Sequence, residues 1–221
     1  MIIGSGLIAT ALKKINTESI LFFASGVSNS LETRNSEFER EFNLLKNTLE
    51  NNKRKLIYFS TLSIHDQSKQ DSLYVLHKIK IEEYIRNNTD DHLILRIGNI
   101  VGKGGNPNTL FNFLKNQINN NNKFVLHSNA RRLLLDIDDI SRFLISHCTD
   151  LKNETINFAY PYYYDLKQIV DAIQKKTGKT AQYDEIDEGD FYKVNFDENI
   201  SNFFSGVSAD DYLETLTEKY I

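Results

Sequence analysis

The stretch MIIGSGLIATALKKINTESILFFASG, Met1–Gly26, decides the fold. Its apolar stub, Met1–Ile3, ends at Gly4-Ser5-Gly6. Leu7, Ile8, Ala11, Leu12 and Ile15 then recur at helical spacing, which predicts a short helix with one buried face. Ser19–Phe23 is a nearly continuous apolar run, the pattern of a short strand covered on both sides. The order is therefore strand, glycine turn, helix, strand.

The same alternation continues along the chain. Phe38, Phe42, Leu45 and Leu49 form the apolar stripe of a second helix, for which Ser36 and Glu39 predict a capping box. KLIYFS (55–60) reads as a third strand and SLYVLHKIKIEEYIRNN as a third helix, with Leu73, Leu76, Ile79 and Ile85 on related faces. HLILRIG (92–98) reads as a fourth strand. Such alternation predicts a parallel sheet with right-handed crossovers, whose ligands sit at the carboxyl ends of the strands. That edge collects Gly4–Gly6, Ala24–Gly26, Ser60–Ser63 and Gly98–Asn99.

The second half is less regular. NTLFNFLKNQI predicts a helix, RLLLDIDDISRFLISHC a strand and a helix, ETINFAY a strand, and DLKQIVDAIQKKTGK a helix from near Asp165 to Gly178. NQINNNN (116–122) reads as a polar helix end or loop, and the C-terminal remainder as a mixed lobe. The expected division is a core of about 1–103 plus 132–160, and a ligand-facing lobe of about 104–131 and 161–221.

The 221 residues are 40% hydrophobic and 25% charged, enough for a sizeable core. The formal net charge of −4 argues against a nucleic-acid polymer as partner. Cys148 is the one cysteine, which excludes an intrachain disulfide and a multi-cysteine zinc site and fits a reducing cytoplasm. No signal peptide or membrane span is read.

The sharpest chemical signal is Tyr74-Val-Leu-His-Lys78. Spacing of four on a helix places phenol and ammonium on one face, one turn apart. A nearby ammonium stabilises phenolate and so makes tyrosine a usable acid or base. On its own the pattern fits an amphipathic helix with a half-exposed tyrosine equally well. The preceding strand end, however, offers Ser60, Thr61 and Ser63 as hydroxyl partners for a ligand.

Taken in order, these segments resemble the extended short-chain dehydrogenase/reductases, the nucleotide-sugar epimerase/dehydratase group. GSGLIA stands at that family's glycine-rich turn, FASG at its Asn/Ala-Ala-Gly turn, YFSTLSIHD at its hydroxyl-rich strand end and YVLHK on its catalytic helix. LRIGNIVGKGGNPNTLFNFL and ARRLLLDIDDI are similar to its Leu-Arg-x-x-Asn-x-x-Gly and Arg-x-x-x-x-Val-Asp-Asp segments. The resemblance implies a Rossmann-like doubly wound parallel sheet with a small C-terminal substrate lobe. It implies Thr61 as partner of a substrate hydroxyl, Tyr74 as acid/base, and Lys78 as ribose-binding partner. NAD or NADP would lie along Gly4, Ser5, Gly6, Leu7, Ile8, Ala24, Ser25, Gly26 and Ser60. A nucleotide sugar would meet Ser63, Asn99 and Arg132, the arginine fork suiting a diphosphate. Asp138 and Asp139 read as helix-capping acids. The helices near 36–50 and 74–88 are where the family pairs into dimers.

Three departures qualify that picture. The glycine turn is one residue shorter than the family's. The chain also passes from the first helix straight to ILFFASG, where the family inserts a strand, a helix and another strand; the sheet is expected to lack two of its usual strands. Those elements would carry the acid that holds the adenosine ribose about twenty residues past the glycines; Glu18 is the only acid between the glycines and the second strand. Third, Leu62 and Ser63 replace the Asp-Glu pair of the family's dehydratases, which disfavours dehydration. Two functions follow as expectations. One is an NAD(P)-dependent keto-reductase or epimerase of nucleotide sugars in surface-polysaccharide synthesis. The other is a reduced relative whose dinucleotide binding is weak or absent, acting as a cofactor-independent isomerase or lyase or as a sugar-nucleotide-binding partner subunit.

Overall fold

In the computed structural model, which describes residues 1–221, the elements run in the expected order. They are β1 (Ile2–Ile3), α1 (Leu7–Ala11, continued by a 3-10 turn over Leu12–Ile15), β2 (Ile20–Phe23), α2 (Asn35–Glu50), β3 (Lys55–Thr61), α3 (Leu73–Asn88), β4 (His92–Ile97) and β5 (Asn99–Val101). There follow α4 (Leu110–Asn119), β6 (Lys123–His127), β7 (Arg131–Asp136), α5 (Ile137–His147), β8 (Glu154–Phe158), β9 (Tyr163–Asp165), α6 (Leu166–Thr177), β10 (Gln182–Ile186), α7 (Glu198–Phe203) and α8 (Ala209–Tyr220). The chain forms two compact units, Met1–Ile97 with Ile137–Phe158, and Gly98–Asp136 with Ala159–Ile221. Residues 98–103 and β7, which the sequence groups with the core, cluster with the second unit.

The first unit is built on a five-stranded sheet in the order β1-β2-β3-β4-β8, every pair parallel. All four residues of β2 are buried, as its unbroken apolar run predicts. β1 is an edge strand, so the two strands missing from the sequence are missing from the sheet. Their loss also removes the reversal of strand order at which open α/β sheets form a ligand crevice.

Register shows what covers each face. Leu21, Phe23, Leu56, Tyr58 and Ile94 point to one side and pack with Leu45 and Leu49 of α2 and Ile81 and Ile85 of α3. Leu95, Ile156 and Phe158 point to the other, where Phe143 of α5 meets Phe158 at 4.7 Å between ring centroids. α1 and its 3-10 extension pack on α5, and so lie on that second face. The connections β1–α1–β2 and β2–α2–β3 cross the sheet in the same direction with their helices on opposite faces. They must therefore have opposite hands. If the α2 crossover obeys the right-handed rule, the α1 crossover is left-handed, against the prediction of uniformly right-handed connections. The physical reason is the missing segment: with it present, α1 would lead away across the sheet and need no reversal.

α3 is inverted relative to its apolar pattern. Leu73, Leu76 and Ile79 are exposed, whereas Tyr74, Val75, His77, Lys78, Ile81, Glu82 and Ile85 are buried. The capping box expected at Ser36 does not form either: α2 starts at Asn35 after Arg34, with no side-chain cap.

The second unit contains the sheet β5-β7-β9 and the parallel pair β6–β10. α6 begins with a capping box of Asp165 and Gln168 and ends at Gly178 in the left-handed conformation, as its sequence predicts. Tyr160 stacks on Tyr212 at 4.1 Å. Asp136 accepts hydrogen bonds from Lys219 Nζ and Tyr220 Oη, each at 2.5 Å.

Candidate functional site

The carboxyl ends of β1, β2 and β3 carry the first unit's candidate residues. Gly4 has φ +126°, and a Cβ there would lie 2.3 Å from the Ala24 carbonyl oxygen, so the turns after β1 and β2 touch through a glycine that no other residue replaces. Gly6 precedes α1 with open space beside its Cα. Ser5 is exposed; Leu7, Ile8, Ala24, Ser25 and Gly26 are half-buried. Glu18 lies just before the amino end of β2, at the opposite edge from the glycine turn, so it cannot replace the absent ribose acid.

Thr61 ends β3. Its Oγ1 accepts from the Ser63 backbone N–H at 3.1 Å, which leaves its O–H free to donate. Tyr74 packs in an apolar cluster with Val27, Phe38 and Val75, against Ile64. Its hydroxyl is in no hydrogen bond of the structure. Lys78 Nζ stands 5.7 Å from the centre of the Tyr74 ring. A groove of about 220 Å³ between α2 and α3 is lined by residues including Phe38, Phe42, His77 and Lys80, and by neither Thr61 nor Tyr74.

Lys78 is engaged by a residue that the motif reading does not include. Its ammonium donates to Glu41 Oε1 at 2.9 Å, Glu41 Oε2 at 3.2 Å and Tyr58 Oη at 3.0 Å. Glu41 also accepts from Tyr58 Oη, the Val27 N–H and His77 Nε2 at 2.7, 2.7 and 3.0 Å. Burial would push the Glu41 carboxyl up; Lys78, His77, Val27 and Tyr58 together hold it far below the usual carboxylate range. Burial, and then the Glu41 charge, push the Tyr58 phenol well above its usual value. Glu41 was legible in one respect: it falls between Phe38 and Leu45 on the apolar stripe of α2, where a carboxylate needs a buried partner.

A second buried carboxylate engages Ser60, whose hydroxyl donates to Glu82 Oε1 at 2.6 Å. Glu82 also accepts from Arg96 and Arg86. Burial opposes ionisation of Glu82, but the Arg96 and Ser60 hydrogen bonds bring its pKa below the usual value.

Within the second unit, Asn99 Nδ2 donates to the Leu133 carbonyl at 3.1 Å. Arg132 Nη1 donates to the Arg131 and Asp190 carbonyls, leaving Nε and Nη2 without a protein partner. In the first unit, Asp138 and Asp139 occupy the first turn of α5, where acids complement the helix dipole.

This sheet, with its glycine turn and Tyr-x-x-x-Lys helix, defines a shortened Rossmann-like protein of the extended short-chain dehydrogenase/reductase type. A family model described as NmrA-like matches residues 8–212, and the chain belongs to that family. Among curated proteins, none matches the sequence. Solved structures share the fold. One is a variant UDP-glucuronic acid 4-epimerase from Bacillus cereus with UDP-4-deoxy-4-fluoro-glucuronic acid and NAD (TM-score 0.72, 18% identity, 98% of this chain and 80% of that one). Another is UDP-N-acetylglucosamine 4-epimerase from Methanobrevibacter ruminantium M1 with UDP-N-acetylmuramic acid (0.72, 17%, 98% and 80%). A third is RMD from Pseudomonas aeruginosa with NADPH (0.66, 12%, 91% and 80%). No helix is long and apolar enough to cross a membrane.

Proposed function

We propose that this protein binds a nucleotide sugar and exchanges a proton with it through Tyr74, without a tightly held dinucleotide. The observation that carries this reading is the state of Lys78. Its ammonium is buried and held by both Glu41 carboxylate oxygens and by Tyr58 Oη. The residues present fit a whole NAD or NADP poorly: the strands for the adenosine half are missing, and Lys78 is buried against Glu41 and Tyr58. A sugar needs neither. The Thr61 O–H would donate to a sugar carbonyl oxygen, and Tyr74 would relay a proton from and back to the neighbouring carbon, an isomerase-type step. Ser63 is the first unit's proposed further contact to the ligand; in the second unit, Asn99 and the Arg132 fork have the chemistry to bind a sugar nucleotide's polar groups and diphosphate.

A second reading, an NAD(P)-dependent keto-reductase or epimerase, is favoured by the order Thr61–Tyr74–Lys78 and by relatives solved with NAD or NADPH. Either activity belongs to cytoplasmic sugar-nucleotide metabolism of the kind that supplies surface polysaccharides. A homodimer through α2 and α3 fits the apolar residues Leu73, Leu76 and Ile79 that α3 leaves exposed.

Deuterium uptake separates the readings. In D2O, a UDP-4-keto-sugar with no added cofactor is expected to gain deuterium beside its carbonyl, and Tyr74→Phe to abolish the uptake. Turnover only on addition of NADPH, with no deuterium uptake before it, would establish the second reading instead.

A further inference from the structure

We infer that Glu41 is the specificity-determining residue of this site: by closing Lys78 into a buried ion pair, it excludes a nicotinamide ribose from the lysine. The inference rests on the proposed reading of the site and assigns the exclusion to one side chain. Lys78 is 2% exposed and Glu41 is wholly buried. Besides the three acceptors around the ammonium, the turn after β2 closes against the pair. A Cβ on Gly26 would lie 2.7 Å from Lys78 Nζ and 3.0 Å from Glu41 Oε1, so main chain already lines that side.

The carboxylate is as fully engaged as the lysine. Tyr58, Val27, His77 and Lys78 all donate to it, from β3, the turn after β2, and α3. A ribose diol could reach the ammonium, 2% exposed, only by drawing it out of this buried setting and away from Glu41. That exchange would leave a buried carboxylate partly unpaired, which a neutral diol does not offset. Ser60, the hydroxyl at the end of the same strand, is also committed, to Glu82. The Thr61 O–H and the Tyr74 hydroxyl have no such commitment, so the exclusion falls on Lys78 and not on the two hydroxyls.

Calorimetric titration of NADH, NADPH and UDP-glucose into the wild type and Glu41→Gln tests the inference. The wild type is expected to half-saturate with either dinucleotide only above about 1 mM, and Glu41→Gln below about 100 µM. Structural damage alone does not create affinity, so this gain separates exclusion from a merely structural role. Where Glu41→Gln gives no cooperative melt, Glu41→Asp carries the test, because it keeps the charge while drawing the carboxylate back from Lys78; a gain in the same direction is expected. Wild-type half-saturation below about 1 mM, or no gain in the variant that folds, would overturn the inference. Failure of UDP-glucose to bind the wild type would instead remove the nucleotide-sugar reading and leave the role of Glu41 standing.

Discussion

Lys78 and Glu41 show how a motif can be legible while its chemistry is not. The spacing of Tyr74 and Lys78 is visible in the sequence, and the helix that carries it forms as read. What occupies the ammonium comes from α2, 37 positions away, and no local pattern reports it. Breaking a buried pair by removing one partner costs about 3–5 kcal/mol, whereas replacing both with apolar side chains is often near neutral. Glu41→Ala is therefore expected to lower stability by about that amount, and Glu41→Leu with Lys78→Met to recover most of it; urea melts of the set measure the coupling. The same carboxylate sets an acid limit. Its folded pKa is depressed from 4.5, so its contribution is fully present above that value and is lost as pH falls toward the folded pKa. Wild-type melting temperature should drop on acidification below about pH 4.5, with a shallower drop in Glu41→Gln. Glu82, shifted in the same direction, retains part of the dependence in that variant.

Among the elements, the strands were the most legible. β2, β3 and β4 are short apolar runs, and burial on both faces leaves such sequences little else to form, whereas the edge strand β8 alternates. α3 was legible in position and not in orientation. Of its Leu73, Leu76, Ile79 and Ile85 repeat only Ile85 is buried, and the face that turns inward carries Tyr74, His77, Lys78 and Glu82. His77, Lys78 and Glu82 can be buried because Glu41, Arg96 and Ser60 meet them from other elements, information that a helical repeat does not hold. The inversion gives a prediction for the proposed dimer. Leu76, 49% exposed, has no role in the fold that a charge would break. Leu76→Glu should shift the mass measured by light scattering from two chains to one while leaving the melting temperature within a few degrees. An unchanged dimer would place the interface elsewhere. By contrast, Leu45→Ala in the core beneath α2 should cost about 2–5 kcal/mol in urea melts.

At the scale of the molecule, the absence of two strands was readable by counting residues between the glycine turn and ILFFASG. The opposite hands of the first two crossovers were not, because handedness appears only once α1 is seen to pack on α5. The first helix of the shortened sheet packs on α5, on the face opposite α2 and α3. The proposed function requires the protein to hold a nucleotide sugar and not a dinucleotide. Native mass spectrometry of the purified protein, followed by addition of UDP-glucose and NADPH in equal amounts, tests it most directly. The predicted result is a chain that carries no nicotinamide dinucleotide and gains only the mass of the sugar nucleotide. A chain that arrives with NAD or NADP bound, or takes up NADPH in preference to UDP-glucose, would contradict it.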